Sequence, residues 1–293
     1  MIELQHTGAG RSGGLADKMA GFIFKAMALG VALLFLWLLT DLVRHGLGSI
    51  SVAFLTEAPR NAGREGGIGP IIVSTLSILG VCLATVLPLG MGTAVFLGEF
   101  APPGHGFGTL VRRSLDVLAG VPSIVFGLFG NAFFCVYLGL GFSILSGGLT
   151  LACMVLPIFI RSCEEGLRAV PSSMRHAAAA LGMSRFTTLT HILLPAALPG
   201  LAVGLVLGIG RALAETAALI FSSGYVDRMP QSIHDSGRSL SIHIYELSMN
   251  VAGGDGAAYG SALVLISMLL VINGLASHIA GKWLGKHQMG ELG

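Results

Sequence analysis

The feature that most constrains the fold is one apolar run, residues 196–222, which reads AALPGLAVGLVLGIGRALAETAALIFS. It is long enough to span a bilayer as a helix, since about 20 apolar residues cross the hydrocarbon core. The run nevertheless contains Arg211 and Glu215. At about 100° per residue, these charges share an arc of roughly 80° with Gly200, Gly204 and Gly208. Such a face is costly in lipid, so we expect it to meet protein or a water-lined path.

Further apolar runs of similar length recur along the chain. Charged residues make up 11% and hydrophobic residues 53% of the sequence, whereas soluble domains carry about 25% charged residues. We therefore predict an all-α polytopic membrane protein with six transmembrane helices, a polar N-terminal tail at 1–18 and a single transmembrane domain at 19–293. The predicted spans are 19–43, 70–97, 114–137, 147–160, 196–222 and 257–279.

The distribution of Lys and Arg predicts the orientation of these spans. With the N-terminus inside, eleven of the 17 basic residues lie on the cytoplasmic side and five outside, with Arg211 within the membrane. The positive-inside rule then favours cytoplasmic N- and C-termini and two long outer segments, 44–69 and 223–256. The second outer segment is a plausible contact for a substrate-binding protein. Its His234 and His243 are expected at the surface rather than in a metal site.

The cytoplasmic loop at 161–195 predicts a compact pair of helices. Pro171 ends one helix, and Ser172 or Ser173 can cap the next. Gly182 suits a left-handed C-terminal cap, and Ser184 can cap a second helix that runs to Pro195. On physical grounds this loop is either an ordinary amphipathic connector or an element through which a partner moves the fifth span.

Spacing within this loop matches the EAA motif of ABC importer permeases, which is E-A-A, three residues, Gly, nine residues and I-x-L-P. The family resemblance implies that residues 166–195 form a coupling loop that docks on an ATPase subunit. His176 stands where the motif has Glu, which puts any contact of that Glu in doubt. The matching positions are His176, Ala177, Ala178, Gly182, Ile192, Leu194 and Pro195.

Other stretches resemble the PstA-type phosphate permease subunit, and the resemblance covers residues 66–275. They are LAGVPSIVFGLFG at 118–130, LPIFIRSCEEGLRAVP at 156–171 and GRALAETA at 210–217. The resemblance implies a MetI-like permease core at about 66–280 in the cytoplasmic (inner) membrane. It also implies a PstC-type partner permease, two PstB-type ATPase subunits and a periplasmic PstS-type phosphate-binding protein.

A phosphate path needs a cation and hydroxyl donors, because a bare dianion cannot cross hydrocarbon. Arg211 is the only Lys or Arg deep within a predicted span, and its forked donors match two phosphate oxygens. We expect Glu215 to hold this guanidinium when substrate is absent. The alternative is a structural ion pair between them. Ser123 and Thr216 are candidate lining residues, as are Ser74, Thr75 and Ser77.

Several functions are disfavoured by the sequence. A net charge of +2 gives no sign of nucleic-acid binding. No Walker A motif is present, since the Lys of Gly281-Lys282 and of Gly285-Lys286 is not followed by Ser or Thr. ATP must then be hydrolysed by a partner, and we predict no catalytic site, cofactor or metal. The open alternatives are an ABC permease for another oxyanion or phosphorus compound, and a self-sufficient secondary anion transporter or channel.

Overall fold

The computed structural model describes residues 15–101 and 104–289. Five of its helices are long and apolar enough to cross a membrane, and a bent helix pair, counted as one span, gives a sixth. This confirms the predicted all-helical architecture with six spans. The elements are α1 Leu15–Gly46, α2 Val52–Thr56, β1 Pro59–Arg60, β2 Glu65–Gly66, α3 Gly69–Val95, α4 Gly106–Ala119, α5 Ser123–Gly130, α6 Ile144–Ala169, α7 Ser172–Ala180, α8 Arg185–Thr188, α9 Leu194–Leu213, α10 Ala217–Ile220, α11 Leu240–Met249 and α12 Asp255–Met289.

Helix α6 lies at the centre of the bundle and packs between α3 and α9. It is the most buried of the candidate spans, and its Val155 and Phe159 form a core with Ile78 and Cys82 of α3 and Ile209 of α9. Close approach depends on small residues, since a Cβ on Gly148 of α6 would lie 2.5 Å from the side chain of Val81. Such packing of small residues is how helices associate inside a membrane.

Helix α1 stands apart from this bundle, and no part of its apolar stretch is buried within the chain. It contacts α12 near its outer end, where the Tyr259 hydroxyl donates to Asp41 at 3.3 Å. Gly46 there lies against the Tyr259 carbonyl. The helix begins four residues before the predicted start of the first span, within the predicted polar tail at 1–18; residues 1–14 of that tail lie outside the described residues.

The outer segments carry short elements that cover the ends of the spans. Strands β1 and β2 form an antiparallel pair with Pro59 opposite Gly66. Helix α11 lies against α12 and α3, and the hydroxyl of Thr75 accepts the backbone N–H of Leu240 at 2.9 Å. The predicted surface position of His243 in α11 is wrong, because this side chain is fully buried. Its ring lies beneath Gly63 in the loop between the two strands.

The predicted third span, 114–137, is not one helix. Helices α4 and α5 meet at a bend of 105° at residues 120–122. Pro122, placed just before α5, has the extended conformation that its ring and its missing N–H favour at a helix start. After α5 the backbone widens into a π-helical stretch, Asn131–Tyr137. The fourth span is longer than predicted and extends over Ile144–Ala169 despite Pro157.

The fifth span differs from the prediction at both ends. Its helix runs without interruption from Arg185, through a π-helical turn at Leu189–Leu193, to Leu213. Pro195 therefore does not end the preceding helix. Because Pro195 has no N–H to bond the His191 carbonyl, the wider π-helical turn accommodates its ring. The end at Leu213 comes before Glu215, so the expected single face carrying both Arg211 and Glu215 is not formed.

Candidate functional site

Three of the four glycines of α9, Gly200, Gly204 and Gly208, pack against α6, the fourth span of this same chain. A Cβ on Gly204 would lie 2.9 Å from that of Ser162, and one on Gly208 would lie 2.9 Å from a methyl carbon of Val155. Gly200 meets Gly166 in the same way. The predicted glycine face thus meets protein, as expected.

Arg211 lies in the last turn of α9, one turn beyond Gly208. About 25 Å of helix axis separate it from Leu194, so it lies near the outer end of this helix, two residues before Leu213. Its Nε is buried and has no hydrogen-bond partner, and within the described parts of the chain no carboxylate lies within 4.0 Å of its guanidinium. The expected Arg211–Glu215 ion pair is therefore not formed. The partial negative charge at the C-terminal end of α9 favours the cation at this position.

Glu215 instead lies at the interruption of the fifth span and forms hydrogen bonds there. Its carboxylate accepts the backbone N–H of Ala218 at 3.1 Å, at the start of α10. Its carbonyl, which a continuous helix would bond to Leu219, accepts the Ser241 hydroxyl of α11 at 2.6 Å. These two bonds replace helical ones, so the span ends without a Gly or Pro signal in the sequence.

The breaks of the third and fifth spans lie side by side. Gly127 of α5 lies against Ala218 of α10, where an added Cβ would be 2.8 Å from the Ala218 Cα. Further along, the Asn131 amide donates to the Phe221 carbonyl at 2.9 Å. The two segments therefore run in the same direction. Ser123 and Thr216, both half-buried, begin α5 and precede α10 at the same end of this pair.

The other hydroxyls named from the sequence have different surroundings. Thr75 bonds the Ile71 carbonyl within its own helix and accepts Leu240, so it joins α3 to α11. The Ser74 hydroxyl is buried without a hydrogen-bond partner in the described residues. It lies behind Gly237, whose Cβ, if present, would be 3.0 Å away. Thr75 therefore helps to fix the outer segment on α3.

The cytoplasmic loop largely follows the sequence prediction. Gly182 has φ +70°, the left-handed conformation expected after α7, and Ser184 accepts the N–H of Thr187 as the cap of α8. The predicted caps Ser172 and Ser173 are wrong, because both lie inside α7 and Pro171 occupies the cap position without a side-chain bond.

The motif positions of this loop divide into exposed and buried ones. Ala178 is buried, whereas His176 and Ala177 are exposed and Ile192 is half-buried. Met174, Leu181 and Phe186 present apolar side chains, with Leu181 79% and Phe186 74% exposed. A helix with apolar side chains on a solvent-facing loop is suited to contact another protein.

Four arginines that the sequence analysis did not single out join the cytoplasmic ends of the helices. Arg112 of α4 donates to Glu164 of α6 at 2.8 Å, and Arg168 pairs with the same carboxylate at 2.7 Å. Asp116 of α4 pairs with Arg161 of α6. Arg175 of α7 pairs with Glu99 at 2.5 Å. The sequence gives no local signal of these pairs, because the carboxylates of three of them lie far from their arginines along the chain.

Known proteins identify the class of this fold. Residues 86–284 match the family described as binding-protein-dependent transport system inner membrane component. The chain is 30% identical to the probable ABC transporter permease protein YqgI of Bacillus subtilis (strain 168), over 92% of this chain and 95% of that protein. It is 35% identical to the phosphate transport system permease protein PstA of Mycobacterium leprae (strain TN), over 86% of this chain and 84% of that protein. These relatives confirm the resemblance to PstA-type permeases.

Solved structures agree on the fold. A bacterial alginate ABC transporter, in complex with an alginate pentasaccharide-bound periplasmic protein, superposes with a TM-score of 0.67 at 17% identity, covering 92% of this chain and 97% of that one. The MetNI methionine ABC transporter in an inward-facing conformation gives 0.57 at 17% identity, over 73% of this chain and 96% of that one. The chain therefore belongs to the family of binding-protein-dependent transport system inner membrane components, the multi-pass permease subunits of ABC transporters.

Proposed function

We propose that this chain is the non-catalytic permease subunit of an ATP-driven importer of inorganic phosphate in the cytoplasmic membrane. The observation that carries the proposal is Arg211, a cation in the last turn of the fifth span's helix whose Nε is buried without a hydrogen-bond partner among the described residues. A charge within an apolar span is costly unless an anion or water meets it. Relatives named phosphate permeases share most of the chain, which supports phosphate as that anion.

The region where the breaks of the third and fifth spans lie side by side supplies the polar groups that a phosphate pathway needs. Arg211 provides the charge, and the hydroxyls of Ser123 and Thr216 provide donors for phosphate oxygens. Glu215 does not neutralise Arg211; it holds the break in place through its bonds to Ala218 and α11. Broken helices that place polar groups at mid-membrane depth are a recurrent way to build transport sites.

The energy for transport comes from partners. ATP is hydrolysed by two PstB-type ATPase subunits that dock on the coupling loop, residues 166–195. A PstC-type permease completes the membrane pathway, and a PstS-type periplasmic protein delivers phosphate. The exposed apolar side chains of this loop support the docking surface.

Reconstitution with these partners in proteoliposomes tests the proposal. ATP-dependent uptake of radiolabelled phosphate is expected, with Arg211→Gln reducing it by about 100-fold, because a charged donor within the span is lost. Arg60→Gln, which removes an exposed cation of the outer segment, is the matched control and should transport normally.

Three results would contradict parts of the proposal. Undiminished uptake in Arg211→Gln would remove Arg211 from the pathway. Phosphate uptake by this chain without an ATPase would favour a secondary transporter or channel. Preference for sulfate or a phosphonate over phosphate in competition would favour an ABC permease for another anion.

A further inference from the structure

The end of α3 on the cytoplasmic side is where α4, α6 and α7 come together. Here α3 continues as a π-helical turn, Phe96–Phe100. Glu99 in this turn is largely buried, with 15% of its side chain exposed. A π-helical turn inside a span is frequently found at functional positions.

Arg175 of α7 joins this turn to the end of α6. Its guanidinium donates to both oxygens of the Glu99 carboxylate, at 2.5 and 3.2 Å. It also donates to the Leu167 carbonyl at 2.8 Å and to the Val170 carbonyl at 2.7 Å, which close the last turn of α6. The hydrogen bond to Glu99 raises the pKa of Arg175, so this guanidinium stays charged. All three guanidinium nitrogens are thus occupied by groups of this chain.

The side chain of Arg112 in α4 bonds the backbone of the same π-helical turn. It donates to the Leu97 carbonyl at 2.6 Å and to the Ala101 carbonyl at 3.1 Å, while its Nε bonds Glu164 of α6. Helix α4 in turn leads through the bend at residues 120–122 to α5. Charged hydrogen bonds therefore join α7 to α4 through the π-helical turn, and the chain itself continues from α4 through the bend to the helix that begins with Ser123.

We propose that Glu99 and Arg175 form a positioning pair that transmits movement of α7 to α4 and so to the bend before Ser123. This inference rests on the proposed docking of the ATPase on α7. The forked, bidentate geometry resists rotation of one element against the other, which a single point contact does not. Arg112 bonds backbone carbonyls of the turn that contains Glu99. A shift of Glu99 therefore also moves the carbonyls that accept from Arg112.

Glu99→Gln separates coupling from folding. It weakens the link between α7 and α3, while the bonds of Arg175 to Leu167 and Val170 remain. We expect normal assembly with the ATPase, and a fall of about tenfold in phosphate transported per ATP hydrolysed, within the range of coupling energies between distant sites. Glu99→Asp keeps the charge on a shorter side chain and should lie between Glu99→Gln and wild type. Glu57→Gln, in an exposed outer ion pair with Arg60, is the matched control.

The ratio of phosphate to ATP is measured per assembled complex in proteoliposomes, so a loss of yield does not affect it. An unchanged ratio in Glu99→Gln or Glu99→Asp overturns the proposal. So does a loss of assembly in which the complexes that remain keep the wild-type ratio, because the pair would then serve folding alone. Cross-linking of the ATPase to a His176→Cys variant separately tests the docking on α7; its absence would contradict that docking rather than the measured role of the pair.

Discussion

Gly200 of α9 lies so close to Gly166 of α6 that a Cβ atom built on Gly200 would be 2.5 Å from the Gly166 Cα. The two backbones touch at this crossing, and the neighbouring contact is again backbone, the carbonyl of Ser162 at 3.2 Å. Backbone atoms cannot move aside as the end of a flexible side chain can. The crossing therefore fixes the fifth span, with Arg211 at its far end, against the fourth.

Gly200→Ala should destabilise this crossing. The added methyl group forces α6 and α9 apart, and overpacking of this kind costs about 1–3 kcal/mol. We expect a lower midpoint of thermal unfolding for the purified protein in detergent. Gly210→Ala is the matched control in the same helix, since a Cβ there meets nothing within 4 Å. Equal midpoints for Gly200→Ala and Gly210→Ala would contradict the close packing.

Phosphate uptake by Glu215 variants should depend on whether the new side chain can accept a hydrogen bond, and not on its charge. The amide oxygen of Glu215→Gln can still accept the Ala218 N–H, so we expect this variant to keep most phosphate uptake. Glu215→Ala leaves that N–H without its acceptor, at a cost of about 1 kcal/mol, and should lose much more uptake. Uptake by proteoliposomes, normalised to reconstituted protein, measures both. Equal losses in the two variants would show that the charge of Glu215 matters for transport.

Much of the fold followed from the sequence because its signals are local. Apolar length predicted the six spans, and Gly182 and Ser184 marked the turn in the cytoplasmic loop through their backbone and capping preferences. The glycine spacing of α9 predicted a face that meets protein. It did not identify the neighbour, since many helices can fill such a groove.

The parts that the sequence missed depend on partners far along the chain. No residue near Leu213 signals the end of a helix; at the break the Glu215 carbonyl is bonded by Ser241, which lies 26 residues after Glu215. Glu99 and Arg175, 76 residues apart, likewise carry no local mark of their pairing. The burial of His243 arises from the β1–β2 loop that covers it. Periodicity and motif spacing hold no information on such contacts.

Acid should weaken the outer segment through His243, which lies in α11 outside the spans. Burial, and secondly the nearby Arg238, lower the pKa of His243 to about 3 from 6.5. As the pH falls below 6.5, His243 is protonated in the unfolded chain but stays neutral in the folded chain. The free energy of unfolding therefore declines until about pH 3. The loss is about 1.4 kcal/mol per pH unit at most.

Thermal unfolding of the purified protein between pH 7.5 and pH 5 measures this dependence. His243→Gln should flatten the decline, since its amide does not titrate in that range. His234→Gln, at an exposed position of the same segment, should keep it. A decline of the same steepness in His243→Gln as in wild type would assign the acid sensitivity to other groups.

Gly182 should be required for its backbone conformation rather than for space. Its φ is +70°, whereas a Cβ built on it meets nothing within 4 Å. Gly182→Val places a β-branched residue in the left-handed region, which costs roughly 1–3 kcal/mol and alters the angle between α7 and α8. We expect ATP hydrolysis to become uncoupled from phosphate uptake in reconstituted complexes. Gly182→Asn tolerates the same conformation and should stay coupled. If Gly182→Asn uncouples ATP hydrolysis from uptake as Gly182→Val does, the side chain at 182 acts by contact with the ATPase and not through the turn.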